Sequence, residues 1–406
     1  MAGIAKGLGF EILNIFLFQG QVQAYNKKFV MNKKIILLFI VIAILFVLGG
    51  IFCLKKNTQT PPIQSNKAIL WDCDSNDKIL LSEMADTFSL LPLETIDRSL
   101  MGEISKLVFS GDNFYVLDRN YMSAIFSFNT QTGKFIEKIG AIGNGPGEYN
   151  RIYDFSIDEK NQVIYVLGNK EKIMTYTLSG EFKTEKKLPF YATALEAFDD
   201  KFCFVCEDEE RNNLIVTDKD LHIISSYFPN KQYGNNLRIL IHPFQKTDSG
   251  VFYRRFLDNN IYKIDQQGNL SLAYQIHLGT NTLGINDIKS LTEKEVKEKL
   301  KTHRCHIKYF TENNQYAIIV FHDKNKPYIS VYNKQSGKTK TSPLESQIDN
   351  LLGKKYILPE YISAKNDFVV IIQPEEINEL TSETDSTRLS EDVNPILYIL
   401  QMKKQI

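Results

Sequence analysis

Tryptophan occurs once in this 406-residue chain, cysteine five times and histidine six times. Each shortage excludes something. Cys53 lies inside a hydrophobic run, which leaves Cys73, Cys203, Cys206 and Cys305, and that is no disulfide framework for a chain this long. The histidines (His222, His242, His277, His303, His306 and His322) follow no spacing that would gather several around one metal. Gly-x-Ser-x-Gly and His-Glu-x-x-His are both missing, so neither a nucleophile elbow nor a zinc-protease helix is written here. We assign no catalytic residue, no metal site and no cofactor from the sequence. An excess of either charge is lacking too, with 48 basic and 48 acidic side chains. The balance hides an asymmetry. Seven Lys and one acid fall before residue 57, leaving 41 bases against 47 acids beyond it. A mildly acidic body lacks the basic face that nucleic acid requires.

What is present begins with one apolar run. Ile35 to Leu54 reads IILLFIVIAILFVLGGIFCL without a charge. Twenty residues at about 1.5 Å each match a hydrocarbon core of roughly 30 Å, so residues 35–54 are expected to form a transmembrane or signal-anchor helix. Lys27, Lys28, Lys33 and Lys34 precede it and Lys55 and Lys56 follow, an excess that keeps residues 1–34 cytoplasmic. The body is then expected outside the cytoplasm, in the periplasm or on the cell surface, with the membrane as one partner through residues 35–54. A cleaved export signal is the rival reading, and lipidation at Cys53 ranks second, because Ile51 and Phe52 are bulky for a lipoprotein signal. Met31-Asn-Lys-Lys resembles an ordinary export-signal start, so residues 1–30 read as an upstream extension. Residues 55–78, polar and with Pro61-Pro62, read as a linker, and residues 79–406 as the folded domain.

The aromatic residues are mostly Phe and Tyr, 26 and 20, which suit half-buried strands. Short apolar runs alternate with Gly, Asn and Asp turns. Leu107–Asp118 and Ala124–Ile139 together make one four-stranded unit. The same grammar recurs over 153–188, 194–228, 237–278 and 307–343. Units of this size repeated in this way predict radial blades, because one small twisted sheet cannot cover both of its faces. Tyr361–Gln373 and Asn394–Met402 supply three strands of a sixth blade, and Thr87–Leu93 is a spare strand able to complete it and close the ring. The expected fold class is all-β, a six-bladed β-propeller with an N-terminal transmembrane helix. Two inserts read as helices. Thr292 to Glu295 is a capping box, and Ser342-Pro343-Leu344-Glu345 opens a second helix that Gly353 would end. The acidic stretch Glu375–Asp392 reads as a solvated loop in the last blade.

The most individual motif is Gly143-Asn-Gly145-Pro146-Gly147-Glu148-Tyr149, between the first two units. Strand-like residues follow it, not a helix N-terminus, so it reads as a structural crossing and not as a phosphate cradle. Ile139–Phe182, which carries this crossing, is similar to an NHL-type propeller repeat. Together with Leu90–Glu94 (LLPLE) and the recurring units, it resembles the six-bladed propeller proteins of Bacteroides-type bacteria. The resemblance implies the fold and no general activity. Some NHL-type enzymes set several His around a central metal, and the His of this chain do not recur at matching positions. Cys203 and Cys206 have half-zinc-site spacing, but in a strand they would face opposite ways.

In a propeller, the loops after each second strand and the crossings between blades share one end. That end here would carry Asp118, Arg119, Glu148, Arg151, Asn169, Lys170, Arg254, Arg255, His322, Asp323 and Lys324. These are the expected ligand-binding residues, since binding groups are commonly placed on loops held by a rigid scaffold. The function expected is a non-catalytic binding module for a glycan, peptide or protein. The alternatives are a lyase or hydrolase with its site at the same mouth, and a structural or assembly protein of the cell envelope.

Overall fold

The computed structural model describes residues 62–64, 68–232, 240, 242–353, 357–378 and 393–403. The expected span at 35–54 and the tail before it lie outside the described residues. Among the described residues no helix is long and apolar enough to cross a membrane.

Two strands precede the first blade, β1 (Ile69–Asp72) and β2 (Ala85–Pro92). Blade 1 is β3 (Lys106–Ser110), β4 (Asn113–Asp118), β5 (Ala124–Asn129) and β6 (Phe135–Ile139). A short parallel pair, β7 (Ala141–Ile142) and β8 (Glu148–Tyr149), makes the crossing to blade 2. Blade 2 is β9 (Ile152–Asp158), β10 (Val163–Gly168), β11 (Lys172–Thr177) and β12 (Phe182–Lys187). Blade 3 is β13 (Ala192–Phe198), β14 (Lys201–Cys206), β15 (Asn212–Asp218) and β16 (Ile223–Pro229). Blade 4 is β17 (Phe244–Thr247), β18 (Gly250–Arg254), β19 (Asn260–Ile264) and β20 (Leu270–His277). Helix α1 (Glu293–Thr302) follows, then blade 5 with β21 (Arg304–Glu312), β22 (Tyr316–Asp323), β23 (Lys326–Asn333) and β24 (Thr339–Pro343). Blade 6 is β25 (Tyr361–Ile362), β26 (Phe368–Ile372), the short helix α2 (Pro374–Asn378) and β27 (Ile396–Met402).

Each of the first five blades pairs its own four strands in sequence order and antiparallel, and in blade 4 strand β1 adds to β20 as a fifth, parallel strand. The sixth sheet runs β2-β27-β26-β25, so the spare N-terminal strand is its outermost member. Pairing from Ala85↔Met402 to Pro92↔Ile396 closes the ring. Among the described residues six apolar layers lie between neighbouring blades, and a seventh buried cluster gathers Val296 of α1 with Leu257, Leu283, Ile288 and Cys305. Strand alternation makes the layers: Val369 and Leu397 face blade 1 with Phe114 and Phe126, while Val370 and Tyr398 face blade 5 with Ile318 and Ile329. Cys203 and Cys206 follow the same rule. Cys203 enters the layer toward blade 4 and Cys206 the layer toward blade 2, so their thiols point apart. Burial raises the Cys206 thiol to about 12 and carries Cys203 well above its ordinary value.

Three expectations need correction. The linker drawn over 55–78 contributes Gln64 and the residues from 68 onward to the fold. Gln64 exchanges backbone hydrogen bonds with Leu270 and Leu272 at 3.2 and 2.8 Å, and β1 lies parallel to β20 as a fifth strand of blade 4. The reason is Trp71, fully buried between blades 4 and 5, with its ring 5.6 Å from both Tyr274 and Tyr332 and its indole N–H donating to Ser330 Oγ at 2.9 Å. The strap then bonds to blade 5 through Asp77 N and Thr341 O at 2.6 Å before entering blade 6 as β2. Second, the helix expected over 342–353 is a strand end and one 3-10 turn, Leu344–Ser346. Ser342 and Pro343 are used in the pairing of β24 with β23, so they cannot cap a helix. Third, the acidic loop opens with α2, and its residues 379–392 lie outside the described residues. The other helix is as read: the Thr292 hydroxyl accepts from Glu295 N and the Glu295 carboxylate accepts from Thr292 N at 2.7 Å.

Candidate functional site: the axial mouth

The innermost strands β3, β9, β13, β17, β21 and β25 touch in succession around the axis. Where they begin, the incoming crossings of blades 1 to 4 are stapled to their own blade's second turn. Asp118 takes Gly102 N at 2.7 Å, and Asn169 Oδ1 takes Asn150 N and Arg151 N, both at 3.1 Å. Asp208 takes Tyr191 N at 3.2 Å, and Arg254 N donates to Pro243 O at 3.0 Å. The repeated staple fixes each of these crossings to its own blade.

The staple explains where several expected residues go. Asp118 is fully buried, and its second oxygen accepts from Tyr121 N and Met122 N, so the carboxylate organises its loop. Asn169 does the same for the next crossing. Glu148 caps its own turn, with Oε2 accepting from Gly145 N at 2.7 Å. In that turn Gly147 sits at φ +73°, with the Phe182 ring 2.6 Å from where a Cβ would be. Gly143 has no room beside the Glu148 carboxylate, 2.0 Å from the same point. Exposed Pro146 lies between them. Tyr149 is buried against Gly140, and Tyr176 donates to Gly147 O at 2.5 Å.

Arg254 and Arg255, expected on the rim, lie inside at 2 % and 5 % exposure. Arg254 donates to Ile307 O at 2.9 Å and His242 O at 3.1 Å, tying blade 4 to blade 5. Arg255 pairs with Asp258 at 3.3 Å and lies over the Phe228 ring at 4.0 Å. Asp323 pairs with Arg304 at 2.8 Å, and Lys324 is an exposed turn residue at φ +50°. Arg151 and Lys170 both lie over the Tyr153 ring, 5.3 Å from its centre, and Lys170 also pairs with Glu207 at 2.7 Å. His322 is stacked near His306 at 6.0 Å. Burial, then Lys308, hold the His322 pKa below its ordinary value.

Toward the axis the structure gathers a set that only partly overlaps the expected one. Tyr361, the first residue of β25, hydrogen-bonds through its hydroxyl to His242 Nε2 at 3.1 Å, joining blade 6 to the segment entering blade 4. Beside them are Glu360, Tyr309, Arg254 and Lys308. Arg119 acts on both His242 and Tyr361. Its Nε is buried without a hydrogen-bond partner among the described residues. Burial raises Glu360 to about 7, against the pull of the Tyr309 hydroxyl and of Lys308 and Arg254. Burial, then Lys106, Arg119 and Arg254, hold His242 well below the usual histidine range.

Lys106, the first residue of β3, is nearly buried and bridges three blades. Its ammonium reaches Asp154 at 2.9 Å, Phe155 O at 2.7 Å and Glu196 at 3.4 Å. Burial pulls its pKa down, but Asp154 and Glu196 outweigh that and hold it above the ordinary lysine value.

Sequence reasoning missed Lys106, His242, Lys308, Tyr309, Glu360 and Tyr361. The available signal was positional. Lys106 and Tyr361 open the first strands of their units, where those strands meet the axis. An open cleft beside α1, lined by Thr292, Glu293, Lys294, Lys297, Glu298 and Asn325, is a surface groove outside this set.

Comparison with known proteins places this architecture. No curated protein matches the chain. A protein described as exported, from Bacteroides fragilis NCTC 9343, superposes with a TM-score of 0.66 at 19% identity, over 83% of this chain and 100% of its own. A member of the duf4221 family from Bacteroides vulgatus superposes with a TM-score of 0.51 at 11% identity, over 79% of this chain and 98% of its own. These likenesses show the fold. The finer likeness to NHL-type repeats rests on residues 139–182 alone. The model of the family described as Domain of unknown function (DUF4934) matches residues 68–401, from the strap's first strand to the ring-closing one, and the chain belongs to that family.

Proposed function

We propose that this chain is an exported, membrane-tethered propeller that binds a glycan, peptide or protein at its axial mouth. The observation carrying this reading is the convergence of Arg119, His242, Tyr309, Glu360 and Tyr361 from blades 1, 4, 5 and 6 on one place. Side chains held by different rigid blades are preorganised, which lowers the entropy cost of binding. Export and tethering rest on the apolar run at 35–54 with its preceding lysines, and on the likeness to an exported protein.

A second reading, a lyase or hydrolase, is favoured by one feature. A carboxyl that titrates near 7 with a tyrosine beside it is poised for general acid–base work. A ligand screen on the full chain, read as thermal shift and as turnover, separates the two. The binding reading expects stabilisation by a ligand that is unchanged on recovery, lost in Arg119→Ala and Tyr309→Ala. A ligand at about 100 times its Kd contributes about 2.7 kcal/mol. Turnover abolished by Glu360→Gln would install the enzyme instead. A stabilising ligand indifferent to both alanine variants would remove the mouth from consideration.

A further inference from the structure

We propose that the axial mouth is a carboxylate-binding site in which Arg119 and Lys308 meet the ligand's acidic group and Glu360 takes up a proton from solvent as it binds. The inference rests on the mouth being the ligand site, and it names the chemistry that site would hold.

The charges facing the cluster come from four sides. Blade 1 contributes Arg119, Lys106 and Glu103. Blade 4 contributes Arg254 and His242, blade 5 Lys308 and Tyr309, and blade 6 Glu360 and Tyr361. Lys106 is neutralised within the fold by Asp154 and Glu196. Glu103 is drawn toward the rim, where it accepts from Asn120 Nδ2 at 2.7 Å. Arg254 is buried and spends hydrogen bonds on two carbonyls, so it supplies a fixed positive background. Arg119 has a buried Nε whose hydrogen bond is unused among the described residues. Lys308 is exposed, its ammonium 5.1 Å from the Tyr309 ring centre. A guanidinium with a free N–H and an ammonium on a tyrosine face suit a carboxylate.

Glu360 then needs an account. A second carboxylate entering beside it is a like charge, and like charges sharing a site drive one of the pair to its protonated form. Its proton affinity already lies near neutrality because of burial, so little is needed to complete the step. The Glu360 carboxylate gains one solvent proton, no covalent bond to the ligand forms, and the ligand keeps its charge. His242 and His322 are biased the same way, since both are held neutral by burial and cations that an incoming anion would offset. Affinity therefore falls as pH rises through about 7.

Calorimetric titration of the full chain tests this with two carboxylate sources, glucuronate and acetyl-glycyl-glycine. Glucose and the amide of the same peptide serve as neutral controls. The expected result is binding by at least one carboxylate and a weaker control. Kd should rise toward about 10-fold per pH unit above pH ~7, with net proton uptake in buffers of different ionisation heat. Glu360→Gln, which cannot take up the proton, should flatten that slope, and Arg119→Ala should weaken binding by roughly 10- to 100-fold at every pH. Glucuronate alone assigns an acidic sugar; the peptide alone assigns a chain terminus. The inference is overturned by equal binding of the controls, by a slope that survives Glu360→Gln, or by silence from both carboxylates. Equal binding that still depends on Arg119 would spare the mouth as ligand site, whereas binding indifferent to Arg119→Ala and Tyr309→Ala would remove it.

Discussion

At the scale of single residues, Glu360 and Lys106 illustrate opposite uses of burial. Glu360 is a carboxyl whose folded-state pKa, about 7, lies above its ordinary 4.5. Below the lower value both states are protonated and the residue is neutral in its effect. Between the two, the folded state holds a proton that the unfolded state releases, so stability falls as pH rises. Above about 7 the whole cost, about 3–4 kcal/mol, is present. Glu360→Gln is therefore expected to be more stable than the parent by that amount near pH ~8, and indistinguishable from it near pH ~4, in urea melts at the two pH values. Lys106 is the reverse case, a charge that its two acids require. Lys106→Met should cost about 3–5 kcal/mol, because Asp154 and Glu196 would remain buried without their cation. Adding Asp154→Asn and Glu196→Gln should recover much of that loss; a triple variant as unstable as the single one would show that the bridge's charge is not what matters.

Among elements, the blades were the easiest to read, because turn residues punctuate them. Ser179-Gly180, Gln267-Gly268 and Ser336-Gly337 each close the last hairpin of a blade with a positive-φ glycine. The strap was harder. Its polar sequence reads as linker, and its attachment depends on one side chain whose pocket is built by residues 200 and more positions later. The lone Trp71 in that polar setting was the signal available. Trp71→Ala should cost about 3–5 kcal/mol, and amide exchange of β1 should rise toward that of free peptide while blades 1 and 2 keep their protection. The site was harder still. Arg254 follows an apolar strand, as a rim arginine would, yet it points inward to two carbonyls. Tyr361 and Glu360 look like the start of another core strand. Their meeting with His242 and Tyr309 depends on three-dimensional closure that no local pattern records. The crossing, by contrast, is local chemistry. Gly147→Ala meets both positive φ and the Phe182 ring, and should destabilise by about 1–3 kcal/mol without altering the other crossings.

On the scale of the whole molecule, the ring closes through one seam. Five blades draw their four antiparallel strands from neighbouring sequence, blade 4 adding β1 at its outer edge, whereas the sixth takes β2 from one end of the described chain and β27 from the other. Ser89 faces Ile399 across that seam. A Ser89→Cys and Ile399→Cys pair, once oxidised, should raise the unfolding free energy by up to about 5 kcal/mol, since the bridged loop is very long. The gain should vanish on reduction. An oxidised form melting no later than the reduced one would mean that the seam does not limit unfolding.

The seam also dictates an order of events during synthesis. Strand β2 leaves the ribosome among the earliest parts of the body, while its mate β27 is among the last. A nascent chain can thus stack its middle blades as they emerge, yet must carry an unpaired, aggregation-prone ribbon until β27 emerges. Contacts this far apart in sequence are slow to form, so the ring closes only after β27 has been made, and a chain that stops short of β27 is an open one.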